Sequence, residues 1–354
     1  MKRFIFGFDD SQPLACAQGL ILRGIDAVVV GGISPEGASV LQNAGVDLYL
    51  CFGAHALGNI HPFAPHLAVN PQGQQRRWFS SACPNDIEIA DTRLTLVLQR
   101  AQGLPGVKGI VVDGARFASF ASAEGEDAFF TCFCPRCMAK MREHGLDAEA
   151  IRQAVQRLSQ PGQLTMADVP FLREWLGFRE SCVTAYMEQF SDRVHACNPA
   201  WEAGAFIFAP SLGAFVGQTM SACASLDLVS SMLYRAYPHA DGPACLGHEW
   251  ASFHHLLQEK ASAFRSLVKP DIHPRLAAAP DPAALLAHGF TPAEIGAEVA
   301  AARPYLRTGQ KLVPIVQIED ARQQETVRHV LENDADGVGY FAYDPAWLPP
   351  VNPS

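Results

Sequence analysis

The sequence predicts an α/β protein of the (β/α)8 barrel class, with a long third βα-loop and an extended helical segment after its fourth strand. Three observations lead to this class. Eight short apolar runs occur, near residues 4–8, 25–30, 46–52, 107–112, 206–209, 228–233, 312–318 and 337–343. They are apolar throughout rather than alternating, as parallel strands covered on both faces are. Helical periodicity or helix-cap signals separate them, and a count of eight favours a closed barrel over an open doubly wound sheet.

The first run, Phe4 to Phe8, ends in Asp9 and Asp10, and a helical stretch from about Gln12 reaches a stop at Gly24. Ile25 to Val30 is the second strand, and Ser34-Pro35-Glu36 then opens a helix with a cap residue and a proline in its first turn. Val46 to Phe52 is the third. A long segment from His55 to Cys83, rich in His, Pro, Asn, Gln and Gly, follows, and irregular loops of that length tend to be functional. A helix from about Asp86 to Gln102 feeds the fourth strand, Val107 to Val112. Helical segments are predicted at about 135–158 and 167–197, the second with Trp175, Phe178, Cys182, Tyr186 and Phe190 at helical spacings. Phe206 to Ala209 and Leu228 to Leu233 are strands five and six, with helices at about 249–267 and 292–308 behind them. Leu312 to Ile318, a helix at 321–333 and Gly337 to Tyr343 complete the count. With no dinucleotide or P-loop fingerprint and no short-period repeat, residues 1–354 read as one domain.

Composition narrows the partners. An apolar fraction of 49% against 18% charged residues suits a large core. A formal net charge of −9 offers no basic footprint for nucleic acid. No apolar run approaches the roughly 18–20 residues that cross a bilayer. Met1-Lys-Arg-Phe-Ile-Phe-Gly-Phe-Asp-Asp10 breaks too early to be a signal peptide, which leads to the expectation of a cytoplasmic protein.

Of the ten cysteines, three lie in Cys132-Phe-Cys134-Pro-Arg-Cys137, at C-x-C-x2-C spacing. They supply three soft ligands, and a closed zinc site needs four. Cys83, at the end of the third loop, is the best fourth, because the third and fourth loops of a barrel are neighbours. Four thiolates leave no open position, so such a zinc would be structural and would staple two long loops. Unmetallated surface cysteines are the plainer alternative.

Arg76-Arg-Trp-Phe-Ser-Ser-Ala-Cys-Pro-Asn85, a helix, a strand ending in Asp113 and then the cysteine cluster resemble the third and fourth βα-units of the glycoside hydrolase family 42 β-galactosidases. Val112-Asp-Gly-Ala-Arg-Phe117 also looks like the strand-four motif of uncharacterised glycosidase-like barrels. The resemblance covers about residues 46–145. It implies a zinc held by Cys83, Cys132, Cys134 and Cys137, a small carbohydrate or glycoside as substrate, and admits a homo-oligomer. Where the family has Asn-Glu after the strand-four Asp, the Glu being its acid/base, this chain has Gly114 and Ala115. The chain therefore looks like a divergent relative.

A glycosidase needs two carboxyl groups about 5–10 Å apart. Asp113 is the first choice, with Glu319 on strand seven or Glu249 after strand six as its partner; Arg116 would keep Asp113 ionised or bind a substrate acid or hydroxyl. An Asp113–Arg116 ion pair that merely shapes the loop is the alternative, as is helix capping for Asp320 and a first-turn helix position for Glu249. Alternation can place Gln317 beside Glu319. Asp9, His55, His61, Tyr234 and Tyr343 are expected substrate contacts, whereas His254-His255 suit a helix surface or packing role. The leading expectation is a glycosidase-like enzyme. A carbohydrate-binding barrel without hydrolysis, or a barrel lyase or isomerase with a second, labile metal, are the alternatives.

Overall fold

Nine short parallel strands form one sheet, and helices cover its outer face. The computed structural model describes residues 2–59, 62–119, 121, 128–160, 162–236, 246–253 and 282–346. The chain runs β1 (Lys2–Phe6), α1 (Pro13–Leu22), β2 (Ala27–Val30), α2 (Pro35–Asn43) and β3 (Asp47–Gly53). A small antiparallel hairpin, β4 (Ala68–Val69) and β5 (Gln75–Arg76), lies in the long third loop, and α3 (Ile87–Gln102) leads to β6 (Val107–Asp113). Next come α4 (Pro135–Glu143), α5 (Ala148–Leu158), α6 (Val169–Cys197), β7 (Glu202–Ile207), α7 (Pro210–Val216) and β8 (Leu228–Ser231). After helical residues 246–253 follow α8 (Pro282–His288), α9 (Pro292–Ala302), β9 (Lys311–Leu312), β10 (Ile315–Gln317), α10 (Gln323–Glu332) and β11 (Gly337–Phe341).

The strand order is β10-β11-β1-β2-β3-β6-β7-β8-β9. The two end strands, β9 and β10, are separated in the chain only by Val313-Pro314, so the sheet curls until its edges meet. Val313 N donates to Val229 O at 2.9 Å, Gly339 N to Pro314 O at 2.8 Å, and Met232 bridges Ile315. Pro314 has no N–H for the ladder, which is why the seventh predicted strand, 312–318, is found in two pieces. The fold is TIM-barrel-like.

Side chains divide cleanly between the two faces. Ile5, Val28, Leu50, Ile110, Val112, Ala205, Val229 and Val338 join the helices in the main core. Phe4, Val29, Tyr49, Cys51, Val111, Phe206, Leu228, Tyr234, Val313 and Ile315 fill the concave interior. Gly109 makes room for this packing: a Cβ there would lie 2.9 Å from the Tyr49 ring and 2.4 Å from Glu202 O. At the N-terminal end Glu202 accepts from Tyr49 at 3.0 Å and Lys311 at 2.8 Å, closing the floor with paired charges.

Several boundaries move relative to the sequence reading. The fifth strand begins at Glu202 rather than Phe206, because a charged residue paired with lysines sits within its first turn of sheet. The predicted helix 135–158 is two helices, broken at Gly145 with φ +75°. The expected 292–308 helix ends at Ala302 and continues only as a 3-10 turn to Tyr305. Helices α7 and α8 were not anticipated. Ser34 caps α2 and Asp86 caps α3, each accepting a backbone N–H from its helix's first turn. Residues 254–267 of the expected sixth-loop helix lie outside the described residues.

Arg179, on α6, is fully buried and ties the fold to the loop after β6. Its guanidinium stacks on Trp175 at 3.8 Å, donates to Phe215 O at 2.6 Å, and reaches the carbonyls of Phe129 and Thr131. Lysine carries neither the plane nor the fork. Arg179→Lys is expected to cost about 2 kcal/mol, read as a lower urea midpoint with an unchanged slope; an unshifted midpoint would refute the tie.

Candidate active site and thiol cluster

Cys83 comes from the end of the third loop, Cys132 and Cys134 from the loop after β6, and Cys137 from the first turn of α4. All four are buried, and their sulfurs lie within 4.8 Å of one another. Cys83 Sγ is 3.4 Å from Cys137 Sγ and 3.7 Å from Cys134 Sγ, distances too long for disulfides. Val69 N and Cys134 N point at Cys132 Sγ, each at 3.4 Å; Asn85 N points at Cys83 Sγ at 3.4 Å and Asn85 Nδ2 at Cys137 Sγ at 3.2 Å. Donors aimed at sulfur favour thiolates. Hydrogen bonds from Cys132, Cys137 and Cys83 hold the Cys134 thiol far down, while those shared bonds and burial push Cys83 and Cys137 up. The arrangement can hold a metal ion. A second grouping, His66, Asp86 and Glu88, lies near it, but Asp86 there caps α3 and pairs with His66 at 2.9 Å and Arg136 at 2.8 Å.

The cluster joins the third loop to the loop after β6, and Trp78 packs against Ala118 and Ala128 across the same seam. Trp78 in turn stacks on the Arg116 guanidinium at 4.3 Å, with Phe208 on the cation at 4.7 Å. Arg116 is 7% exposed, its Nε has no hydrogen-bond partner, and Nη1 gives one bond of 3.3 Å to Phe117 O. Burial pushes its pKa down to about 10, against the pull of Glu249 and Asp113. Arg116 lines a small cleft of about 60 Å³ with Phe79, Phe208, Met232, Tyr234 and Glu249. Glu249, 2% exposed, accepts from Ser119 Oγ at 2.6 Å and Ala121 N at 3.1 Å.

Asp113 ends β6 and continues the inward register of Gly109 and Val111. Burial pushes its pKa up; the Arg116 charge and a 2.7 Å bond from Gly114 N oppose that rise. The expected Asp113–Arg116 salt bridge is not formed: no acidic group among the described residues lies within 4 Å of the Arg116 guanidinium. A second cleft, about 360 Å³, is lined by Gln317, Glu319, Phe341, Tyr343 and Asp344. Gln317 is 3% exposed, with neither amide atom hydrogen-bonded. Between the clefts, Tyr234 packs on Phe341 at 5.5 Å and Phe341 on Phe6 at 5.2 Å, an aromatic floor.

The remaining expected contacts are distributed otherwise. Asp9 is held by Ser11 N and Oγ, and those bonds pull its pKa down. His55 is 3% exposed and packs on Tyr186 at 5.2 Å, and burial drives its pKa to about 4. It is thus a neutral interior ring rather than a group facing either cleft. Asp320 takes Arg235 in a two-point pair at 2.8 and 2.5 Å, and its Oδ1 also accepts from Arg322 N, just before α10, at 3.1 Å. His61, His254 and His255 lie outside the described residues. Phe79, Phe208 and Ser119 escaped the sequence reading. Phe79 carried a signal, an aromatic inside a long polar loop, and it is 52% exposed at a left-handed φ of 44°.

The fold is similar to that of several β-galactosidases and a β-amylase of known structure. Similar solved structures include a β-galactosidase from the haloarchaeon Halorubrum lacusprofundi (16% identity, TM-score 0.61, 97% of this chain and 53% of that one). A β-galactosidase from Marinomonas ef1 (14%, 0.56, 97% and 54%) and the catalytic domain of a β-amylase from Paenibacillus polymyxa (10%, 0.57, 96% and 92%) are also similar. This chain spans about half the length of those β-galactosidases. No protein-family model matches it, and no curated protein does. Among the described residues no helix is long and apolar enough to cross a membrane.

Proposed function

We propose that this chain is a glycosidase-like enzyme on a (β/α)8 barrel, with Lys311–Gln317 as one interrupted seventh strand, acting on a small glycoside or oligosaccharide. The observation that carries the reading is Asp113: an inward carboxyl at the C-terminal end of a barrel strand, whose pKa burial pushes up, the direction that suits a general acid. Glu319 and Glu249 line the two clefts and are the partner carboxylates; one ionised carboxylate and one proton-bearing acid make a glycosidase pair. Asp113 would protonate the leaving oxygen, and the partner would attack the anomeric carbon or activate water. Exposed Phe79 and the floor of Tyr234 and Phe341 suit the C–H faces of sugar rings, with Tyr343 beside them for hydroxyls. The test is product release from a panel of aryl glycosides and oligosaccharides by the wild type and by Asp113→Asn.

The thiol cluster is proposed as a structural zinc site. A tetrahedron with Zn–S near 2.3 Å has S–S edges of about 3.8 Å, close to the sulfur separations of 3.4 and 3.7 Å. Four thiolates leave no position for substrate, so the ion would hold the two loops and take no part in bond cleavage. Sugar binding without hydrolysis is the second reading. Ala115, where the resembled family has its acid/base, is buried at 1% exposure in the outer core and favours it.

Gln317 gives a separate prediction. An amide buried with no partner destabilises the unliganded fold by about 1–3 kcal/mol, and a sugar diol can satisfy both of its ends. Gln317→Met is expected to raise the melting temperature while weakening saccharide binding at least about tenfold. A lower melting temperature with unchanged affinity would refute this role.

A further inference from the structure

We infer that the Arg116 cleft selects a sugar bearing a carboxylate, so that the substrate is an acidic saccharide of the uronate class; this rests on the glycoside reading of the same site. Buried cations are costly unless a counter-charge accompanies them. Arg116 is 93% buried by its 7% exposure, yet no acidic side chain among the described residues reaches within 4 Å of it. Of five N–H donors in a guanidinium, one makes a single 3.3 Å bond to Phe117 O, and Nε–H has no acceptor.

The surroundings hold this cation in place without neutralising it. Trp78 and Phe208 bracket its plane, fixing the fork while leaving its edge donors unspent. Glu249 is the acidic side chain lining that cleft, and its two oxygens are engaged by Ser119 Oγ and Ala121 N. Asp113 accepts a 2.7 Å hydrogen bond from Gly114 N, and burial pushes its pKa up. Among the described residues Glu249 and Asp113 pull on the charge only from beyond 4 Å, and the direct partner of the guanidinium is assigned to the ligand. Planar, two-point recognition is what a guanidinium offers a carboxylate. The aromatic Phe79 and Tyr234 on the same cleft supply the face for the ring that carries it.

The experiment is calorimetric titration of the full chain with matched pairs: glucuronate against glucose, galacturonate against galactose, mannuronate against mannose, and the short oligomers of each. The expected result is an acidic member bound about tenfold to a hundredfold more tightly than its neutral partner, a preference that weakens with added salt. In Arg116→Gln that preference should vanish; in Arg116→Lys, which keeps the charge without the plane, part of it should survive. Should Arg116→Gln fail to fold, the wild-type pairs alone decide. Neutral members binding as tightly as acidic ones would overturn the inference and leave the glycoside reading standing. Failure of every saccharide to bind the wild type would overturn both.

Discussion

Asp113→Asn is expected to lower turnover of a cleavable glycoside by about 10²–10⁴-fold, with the circular dichroism spectrum unchanged. Asparagine preserves the shape and the acceptor for Gly114 N, and removes only the transferable proton. A structural role predicts a different outcome, because the carboxyl's own electrostatics oppose folding at high pH. Burial raises its pKa above that of the unfolded chain. The folded state then holds the proton more tightly, so the group favours folding most below the unfolded value near about 4. That advantage is lost as pH rises through the higher folded value, beyond which a buried carboxylate opposes folding. Asp113→Asn should therefore melt higher than the wild type at pH 8, with the gap closing toward pH 4. Near-normal turnover together with a pH-independent melting difference would remove Asp113 from the mechanism. Intact sugar binding with no turnover in the wild type would instead favour the non-hydrolytic reading.

How much of this was legible in the sequence depends on whether the signal was local. Apolar runs such as Val28–Val30 and Ile110–Val112 announce strands covered on both faces, and the structure places them in a parallel sheet. The C-x-C-x2-C spacing was local too, and Cys83 followed from loop adjacency; the four sulfurs do converge. Pro314 hid the break between β9 and β10, since only the ladder geometry shows which amide is missing. Glu202 concealed the start of β7 because its charge is compensated by Lys108 and Lys311, one on the preceding strand and one far along the chain. At Arg116 only the ion-pair alternative failed, for the same reason. Its sequence neighbour Asp113 suggested an ion pair, whereas the groups that bracket it, Trp78 and Phe208, arrive from other loops. His55 looked like a mouth residue from the polar company it keeps in sequence, but Tyr186 on α6 covers its ring.

Cys134→Ser is expected to abolish binding of about one zinc per chain and to lower stability by about 4 kcal/mol, a fall in melting temperature on the order of 10 °C. A serine hydroxyl is a poor ligand, and one lost thiolate leaves three sulfurs crowded at distances such as the 3.4 Å between Cys83 and Cys137, without the ion that compensates their repulsion. Elemental analysis of untagged protein purified without chelators measures the first effect, and calorimetry the second. Cys197→Ser is the control, since that half-buried thiol accepts from Gln102, packs at the edge of the main core and lies outside the cluster; it should change stability by no more than about 1 kcal/mol. The loss should also travel. The cluster pins the loop that carries Trp78 to the loop that carries Ala118 and Ala128, and Trp78 forms one wall of the Arg116 seat. Metal loss should therefore weaken ligand binding at the Arg116 cleft more than at the Gln317 cleft, which takes no lining residue from either of the two stapled loops. If zinc is absent from the wild type, or leaves Cys134→Ser with stability and binding unmoved, the thiols are an unmetallated buried cluster and the loops are held by packing alone.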